Sequence, residues 1–446
     1  MTQGTRARDR LTDHPDIAPL ASVPVPPVTP RPMISTSLGH SRLLARPGDW
    51  RLWLLNAEAA CLWDWHQSGL DAPALSERLV QHTGLSANTA RDQVHALLDD
   101  WRASGLLESS SSSAPVTDPE ESRWRPVDTE AAPAWPPDIW HLHLADLRLG
   151  LWIGDAALQH RLGPGIDRLR CDPLTPAATA PSLDPSRISR FSSSSSPTPL
   201  LSLHGTVDAW QLRWNGYPLE TGAGLDAAQR ALLRELTERA CRAGERLLVV
   251  HGAGVVGPNG MGLLLIGPGG SGKTTLAAAL NAGGLPLLHD DVVPVDLDGH
   301  LLGLGLPFTL KAGSWPVLQA LRPDLGKTPT RQRLGQPVRY LPPRGPQPAA
   351  PIALGGFVFP RYQPGMTTRR QRLSPEAALQ GLIDAEAVIR GLHQDKLRRL
   401  ARWLESAPAW SLTYPDLVSG LTGVRQILQA RDQNPTPTGS RGPCPD

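Results

Sequence analysis

The sequence is poor in cysteine, and it has neither a long apolar run nor an excess of charge of one sign. Its four cysteines are scattered over 446 residues without a C-x-x-C pair. This argues against a disulfide framework or a zinc site and favours a reducing compartment. No apolar run approaches the ~18–20 residues that crossing a bilayer requires. With 44 basic and 42 acidic side chains, bulk charge indicates neither a nucleic-acid nor a membrane partner.

Low-complexity stretches divide the chain. Residues 1–32 are Pro-rich and have no apolar core of the signal-peptide type, so we expect a soluble, cytoplasmic protein. Two runs of five serines, each among prolines, cannot bury enough apolar area to become ordered. The predicted organisation is a disordered segment 1–32, a small domain 36–108, a Ser/Pro linker 109–137, a large domain 138–430 with a flexible insertion 172–199, and a disordered tail 431–446.

The small domain is predicted to be a hairpin followed by three helices. Residues 41–55 place two apolar segments around a Pro-Gly-Asp turn, which is a hairpin signal. Asn56 and Ser86 are expected as helix N-caps, and Gly84 and Gly105 as helix ends. The tryptophans on the apolar faces are expected in the core: Trp53, Trp63 and Trp101.

The strongest motif is residues 267–274, which read G-P-G-G-S-G-K-T and fit G-x-x-x-x-G-K-[ST]. The apolar run 261–266 predicts a buried strand before it, and residues 275–280 predict a helix after it. Glycines let backbone N–H groups turn toward a phosphate, Lys273 would reach the β- and γ-phosphates, and Thr274 would ligate Mg²⁺. The predicted nucleotide-binding residues are Gly267, Gly269, Gly270, Ser271, Gly272, Lys273, Thr274 and Thr275.

A histidine and an acid pair are predicted to lie beside this loop. The apolar run 247–252 predicts a buried strand ending at His251, and a turn at 257–260 returns the chain toward the loop. Asp290 and Asp291 follow the next short strand. Since α/β sheets bind ligands at strand ends, we expect the acid pair to be functional. For His251, a histidine satisfied by its own surroundings remains an alternative.

The order His251-Gly252, hairpin, phosphate loop, helix and Asp290-Asp291 resembles HPr kinase/phosphorylase and its relatives. The resemblance implies an α/β fold with the P-loop core shared with phosphoenolpyruvate carboxykinase, ATP and Mg²⁺ as cofactors, and serine/threonine kinase activity. It makes Asp290 the catalytic base and Asp291 a Mg²⁺ ligand together with Thr274, while His251 would tune or orient one of the two carboxylates. Related enzymes often form oligomers, so a homo-oligomer is also implied.

The resemblance has limits. The loop ends in Lys-Thr where the namesake enzymes have Lys-Ser, and the C-terminal signature helix of the true HPr enzymes is not found. Neither an HPr substrate nor the reverse phosphorylase reaction therefore follows. Three cationic residues lie in segments that border the expected cleft, either as clamps for an anion or as ordinary surface charges: Lys311, Arg339 and Arg361.

The small domain resembles the PqqD family of peptide-binding domains. The resemblance rests on the hairpin, the segment LLNAEAACLW at 54–63, two further helices and a terminal GLLE at 105–108. It implies a winged-helix-like fold that recruits a precursor peptide by strand addition, at the strand 50–55 and the third helix. A DNA-binding winged helix has the same element order, but this third helix is not basic. A purely structural appendage is the remaining alternative.

Together these features predict a kinase that phosphorylates a Ser or Thr hydroxyl of a precursor peptide or small protein. Two alternatives stay open: a kinase acting on a small molecule or carrier protein, and a non-catalytic nucleotide-dependent switch. A transport ATPase is disfavoured because no L-S-G-G-Q-like helix is found.

Overall fold

The structure is a computed structural model that describes residues 33–47, 52–107, 136, 138–172, 198–348 and 350–433. Within these ranges it contains ten α-helices and four β-sheets, so the chain is mixed α/β. The following predicted segments lie wholly or mostly outside the described residues: the disordered segment 1–32, the linker 109–137, the insertion 172–199, the tail 431–446, and positions 48–51 of the first hairpin.

The N-terminal part is a three-stranded antiparallel sheet followed by three helices. Its elements are β1 Ile34–Leu38, β2 Ser41–Ala45, β3 Leu52–Leu55, α1 Ala57–Gln67, α2 Ala72–Thr83 and α3 Ala87–Ala103. Asn56 and Ser86 cap α1 and α3, because their side chains accept the N–H groups of Ala59 and Thr89 at 2.8 and 3.2 Å. Gly84 ends α2 with φ 72°. These predicted helix boundaries are confirmed.

Sequence reasoning missed β1. The segment Ile34–Leu38 has only two apolar residues, so its pattern is too weak to predict a strand. It becomes a strand because it pairs along its whole length with β2 and because Leu38 is fully buried. The three tryptophans predicted as core are confirmed as buried, and Trp63 meets Trp101 edge-on with 5.3 Å between the ring centroids.

The second part begins with a five-stranded sheet in the order β4-β5-β6-β7-β8. Its elements are β4 Trp140–Leu144, β5 Leu147–Ile153, α4 Ala156–Leu162, β6 Leu200–Gly205, β7 Trp210–Trp214, β8 Tyr217–Gly222 and α5 Leu225–Arg242. The helix α5 repeats apolar residues at helical spacing, and its inner face packs on this sheet through Leu232 and Leu236.

A larger sheet in the order β11-β9-β10-β16-β18-β17 forms the centre, and β12 also pairs with β9. The strands are β9 Arg246–Val256, β10 Gly262–Ile266, β11 Leu287–His289, β12 Val292–Asp296, β16 Leu354–Tyr362, β17 Arg369–Leu373 and β18 Ala409–Tyr414. Because β10, β16 and β18 are parallel, their carboxyl ends meet at one edge. Helices cover both faces: α6 Lys273–Ala282 and α10 Leu417–Gln433 one face, α8 Pro375–Asp384 and α9 Gln394–Glu405 the other.

A third small sheet, in the order β13-β15-β14, lies beside the carboxyl end of β10. Its strands are β13 Phe308–Lys311, β14 Thr330–Arg333 and β15 Gln336–Leu341, and the short helix α7 Trp315–Leu318 follows β13. Leu334 and Gly335 connect β14 to β15, and both have positive φ, 52° and 75°. This pair of angles is typical of the tightest hairpin turns.

One prediction about β9 is wrong. His251 was expected at the end of a strand, but β9 continues past it to Val256. The reason is that β9 changes partners at this point: it pairs with β12 up to His251, and beyond it with β11 and β10. The exchange keeps the backbone extended and leaves His251 inside the longest strand.

The N-terminal sheet packs directly on α8 and α9. The main-chain N–H groups of Gly39 and His40, in the turn between β1 and β2, donate to Glu405 and Glu376, both at 2.8 Å. Buried residues of β1 and β2 share one core with these helices: Leu38, Leu43 and Ala45. The two parts are therefore joined by a hydrophobic core as well as by the chain.

Candidate active site

The glycine loop between β10 and α6 has the conformation that its glycines were expected to supply. Gly270 and Gly272 have φ of 82° and 96°, a region that favours glycine. At Gly272 a Cβ would also lie 2.2 Å from Tyr414 Oη, so no other residue fits without displacing that side chain. The Nζ of Lys273 folds back over the loop and donates to the carbonyls of Gly267 and Pro268, at 2.5 and 3.0 Å.

Asp290 and Asp291 lie between β11 and β12, and both of these strands pair with β9. The N–H of Gly252 donates to the carbonyl oxygen of Asp291 at 3.0 Å. A Cβ on Gly252 would lie 2.5 Å from the carbonyl oxygen of Leu265 on β10. A glycine at this position lets β9 and β10 approach closely, which brings the acid pair next to the loop that follows β10.

Asp290 is the buried member of the pair, with 2% of its surface exposed. Its Oδ2 accepts the N–H of Thr309 at 3.0 Å. Its Oδ1 has no hydrogen-bond partner among the described residues and lies 3.7 Å from Nδ1 of His289. Burial, reinforced by the negative charge of Asp291, raises the pKa of Asp290 to about 7. Burial lowers the pKa of His289 to about 4, so this imidazole is neutral at pH 7.

Asp291 has the opposite environment. It is half-exposed, and its two oxygens lie 3.6 Å from Nε2 of His251 and 3.6 Å from a guanidinium nitrogen of Arg333. These two contacts hold the pKa of Asp291 well below its ordinary value, and the contact with His251 has the larger effect. Adjacent carboxyl groups therefore differ at pH 7, because one is permanently ionised and the other is poised to gain or lose a proton. Such a divided pair is typical of acid–base sites.

The hydroxyl of Thr274 lies 3.5 Å from the main-chain oxygen of Asp290, which places it beside the acid pair. Among the described residues no cluster of three or more His, Cys, Asp or Glu side chains is arranged to hold a metal ion. Mg²⁺ does not need such a cluster, since it takes one or two protein oxygens and completes its shell with phosphate and water. The Asp291 carboxylate and the Thr274 hydroxyl are oxygen donors that fit that requirement.

An open cleft of about 630 Å³ brings most of these groups together. The predicted residues that line it are His251, Gly269, Gly270, Gly272, Lys273, Thr274, Thr275, Asp290 and Asp291. Two predicted residues contribute from behind it. The Gly267 carbonyl accepts from Lys273, and the Ser271 hydroxyl is buried without a hydrogen-bond partner in the described part of the chain.

The three cationic residues left open by the sequence are separated by the fold. Lys311 lines the cleft. Arg339 does not, because its guanidinium donates to the carbonyl of Leu325 at 2.8 Å and stacks on Trp315 at 4.2 Å from the ring centroid. Arg361 is exposed on β16 and is not among the residues that line the cleft.

Sequence reasoning missed the contribution of the small sheet. Thr309 holds the Asp290 carboxyl, and Arg333 contacts Asp291 from the tip of the β14–β15 hairpin. The signal available was the Leu334-Gly335 dipeptide between two short polar–apolar segments. Nothing in the sequence says that this hairpin folds over a loop some sixty residues earlier.

The N-terminal part has a groove of its own, about 380 Å³, between α1 and α3. Its lining residues are Asn56, Glu58, Ala59, Leu62, Gln93, Ala96, Leu97 and Asp100. The strand β3 pairs with β2 on one side. Among the described residues no strand pairs with its other edge. The predicted strand and the predicted helix of the peptide groove thus each present an open surface.

The chain matches no protein-family model, and no curated protein matches it. In the described ranges no helix combines the length and the apolar character needed to cross a membrane.

Proposed function

We propose that this chain is an ATP- and Mg²⁺-dependent kinase that phosphorylates a Ser or Thr hydroxyl of a precursor peptide. In this proposal the large domain is a P-loop kinase core of the HPr kinase type, and the N-terminal domain is a PqqD-like recruiter. The single observation that carries the proposal is one cleft in which a glycine loop meets a carboxyl group of raised pKa next to one of lowered pKa.

The loop and its lysine would bind the nucleotide. The N–H groups from Gly269 to Thr275 would surround a phosphate at the start of α6, where the helix dipole adds positive potential. A bound triphosphate would replace the loop carbonyls as the partner of Lys273, because a charge-assisted bond to phosphate is stronger than one to a neutral carbonyl. Burial lowers the pKa of Lys273, and the negative charge of Asp291 partly opposes this effect. A phosphate bound nearby would stabilise the charged form of the lysine further.

Asp290 would act as general base. A base works best when its pKa lies near the working pH, and that of Asp290 is about 7. The hydroxyl oxygen forms a bond to the γ-phosphorus as the bond from that phosphorus to the ADP oxygen breaks. The hydroxyl proton passes to Asp290. His251, 3.6 Å from Asp291, keeps the second carboxylate ionised and oriented.

Thr274 and Asp291 would hold Mg²⁺, which when bound neutralises charge on the β- and γ-phosphates. The low pKa of Asp291 suits this role, because a protonated carboxyl group is a poor metal ligand. The Thr274 hydroxyl already contacts the main chain of the acid pair, at the carbonyl oxygen of Asp290.

The test is phosphate transfer, followed by mass spectrometry of peptides incubated with protein, Mg²⁺ and ATP. We expect Asp290→Asn to abolish transfer while ATP binding persists. Asp208→Asn is the matched control, because Asp208 is exposed and outside the cleft. ATP binding without transfer to any peptide would refute the peptide-kinase proposal and favour a small-molecule or carrier-protein kinase, or a nucleotide switch.

Recruitment needs point variants rather than deletion of residues 1–137, which would strip Leu38 and Leu43 from the shared core. Ala96→Arg fills the groove between α1 and α3 from an exposed position. His95→Arg puts the same side chain on α3 outside the groove and is the control. We expect only Ala96→Arg to raise KM for the peptide. Equal KM values for the two variants would make the N-terminal part a structural appendage.

A further inference from the structure

A second cleft, of about 440 Å³, lies against the first. The two clefts share the residues Asp291, Thr309, Arg333 and Leu334. The phosphate loop borders only the first cleft, and the helix α5 borders only the second. A group in the second cleft therefore meets the acid pair at Asp291, on the side away from the phosphate loop. Asp290 lines only the first cleft, so an acceptor hydroxyl must extend past Asp291 to reach it and to approach the phosphate in line.

The second cleft has a small excess of positive charge, with three arginines against the two acids Glu238 and Asp291. Two of the arginines have acidic partners: Arg234 contacts Glu220 at 2.5 Å and Arg333 contacts Asp291 at 3.6 Å. The third, Arg230 on α5, is in no ion pair with the described part of the chain. A guanidinium that lines a cleft without a carboxylate partner is a ready site for an external anion.

The rest of the cleft suits an extended peptide segment. Leu233, Leu306 and Pro307 supply apolar wall, while Thr237 and Tyr340 supply hydroxyl groups. Its volume is within the range of small-ligand sites, about 300–1,000 Å³. One side chain of a peptide, with a neighbouring residue on each side, is of this size.

The hairpin tip above the cleft carries an unusual leucine. Leu334 has φ of 52°, a left-handed conformation that is unfavourable for a residue other than glycine. It is also 80% exposed, so no packing within the described residues explains why leucine rather than glycine stands there. A strained, exposed apolar residue at the boundary of two clefts is accounted for by contact with a bound molecule.

We infer that the second cleft binds the acceptor, and that the acceptor is a Ser or Thr flanked by acidic side chains. Arg230 pairs with a flanking carboxylate, and Leu334 covers the bound segment. The inference rests on the proposed kinase activity and adds to it the charge of the substrate. It commits to an acidic peptide segment rather than to a small hydroxy acid, because a cleft of about 440 Å³ is larger than one carboxylate and one hydroxyl require.

The test compares synthetic peptides with a single Ser flanked by Glu or by Gln, with glycerate as a small hydroxy-acid acceptor. We expect kcat/KM to favour the Glu peptide by about tenfold, the size of one charge-assisted hydrogen bond. Arg230→Gln should remove this preference, and Arg230→Glu should invert it toward a Lys-flanked peptide. Arg161→Gln, at an exposed site outside both clefts, should leave it unchanged.

Binding is measured separately, by titrating the same peptides into the full chain with a non-hydrolysable ATP analogue. Equal transfer to the Glu and Gln peptides would overturn the acidic-acceptor inference and leave the kinase proposal standing. Transfer to glycerate but to no peptide would overturn the peptide assignment. ATP binding without transfer to any acceptor would overturn both proposals.

Discussion

Replacing Asp290 with Asn should make the protein more stable, although it removes the proposed base. Asp290 is 2% exposed, and ionising it inside the fold is unfavourable. Asn preserves the shape of the side chain. Its amide oxygen can still accept the N–H of Thr309, and its NH₂ group then faces the neutral ring of His289. The variant therefore removes a destabilising charge without losing the hydrogen bond at 3.0 Å.

The magnitude follows from proton linkage. An aspartate has a pKa of about 3.9 in an unfolded chain, and burial raises that of Asp290 to about 7. The folded state thus binds more protons between these values, so stability falls as pH rises from about 4 to about 7 and is level beyond. At 1.36 kcal/mol per factor of ten, the full cost above pH 7 is about 4 kcal/mol, of which about 2–3 kcal/mol develops between pH 5 and pH 8.

The assay is chemical unfolding followed by tryptophan fluorescence, at pH 5 and pH 8, of the wild type, Asp290→Asn and Asp208→Asn. We expect the free energy of unfolding of Asp290→Asn to exceed that of the wild type at pH 8, with a smaller difference at pH 5. Asp208→Asn should follow the wild type at both values. A variant less stable than the wild type at pH 8, or a difference independent of pH, would refute the assignment of a raised pKa to Asp290.

Three further outcomes are expected. Gly272→Ala should lose ATP binding in a fluorescent-nucleotide titration. The control is Gly284→Ala, which has a similar φ of 98° but no atom within 4 Å of the new Cβ, and it should keep ATP binding. Equal losses in the two variants would exclude the collision with Tyr414 as the cause. Leu38→Ala should cost about 2–5 kcal/mol of unfolding free energy for the whole chain, and a transition confined to the N-terminal part would contradict the shared core. Leu334→Gly should raise the free energy of unfolding by up to about 1 kcal/mol, since it removes backbone strain. The same variant should lower kcat/KM for the peptide, and unchanged kinetics would show that Leu334 does not contact the acceptor.

Features set by local chemistry could be predicted from the sequence. Asn56 and Ser86 cap helices because a short polar side chain reaches an N–H three residues ahead. The glycine loop and the strand and helix on either side of it are local as well, since they are contiguous in the chain. The predicted neighbourhood of His251, the loop and the acid pair also follows from short connections between adjacent strands.

Features set by distant contacts could not be predicted in this way. The strand β1 has almost no apolar pattern and is stabilised by Leu38 packing among residues far along the chain. Arg333 comes to Asp291 because a separate small sheet folds over the cleft. His251 was misplaced because a strand that changes partners has the same sequence pattern as one that ends. In each case the structure is determined by tertiary contacts, which local sequence propensity does not reflect.

The turn between β1 and β2 has a consequence for how this chain tolerates recombination. Glu376 and Glu405 accept hydrogen bonds from main-chain N–H groups, which every residue except proline supplies. The contact between the two parts therefore depends little on which side chains the turn carries. Gly39 is the exception, since its φ is 58° and a Cβ would lie 2.1 Å from Glu376 Oε1. A foreign N-terminal module with a glycine at this position and two apolar residues in register would dock on α8 and α9. Were the two halves encoded by separate genes, the same surface would reassemble them as a heterodimer.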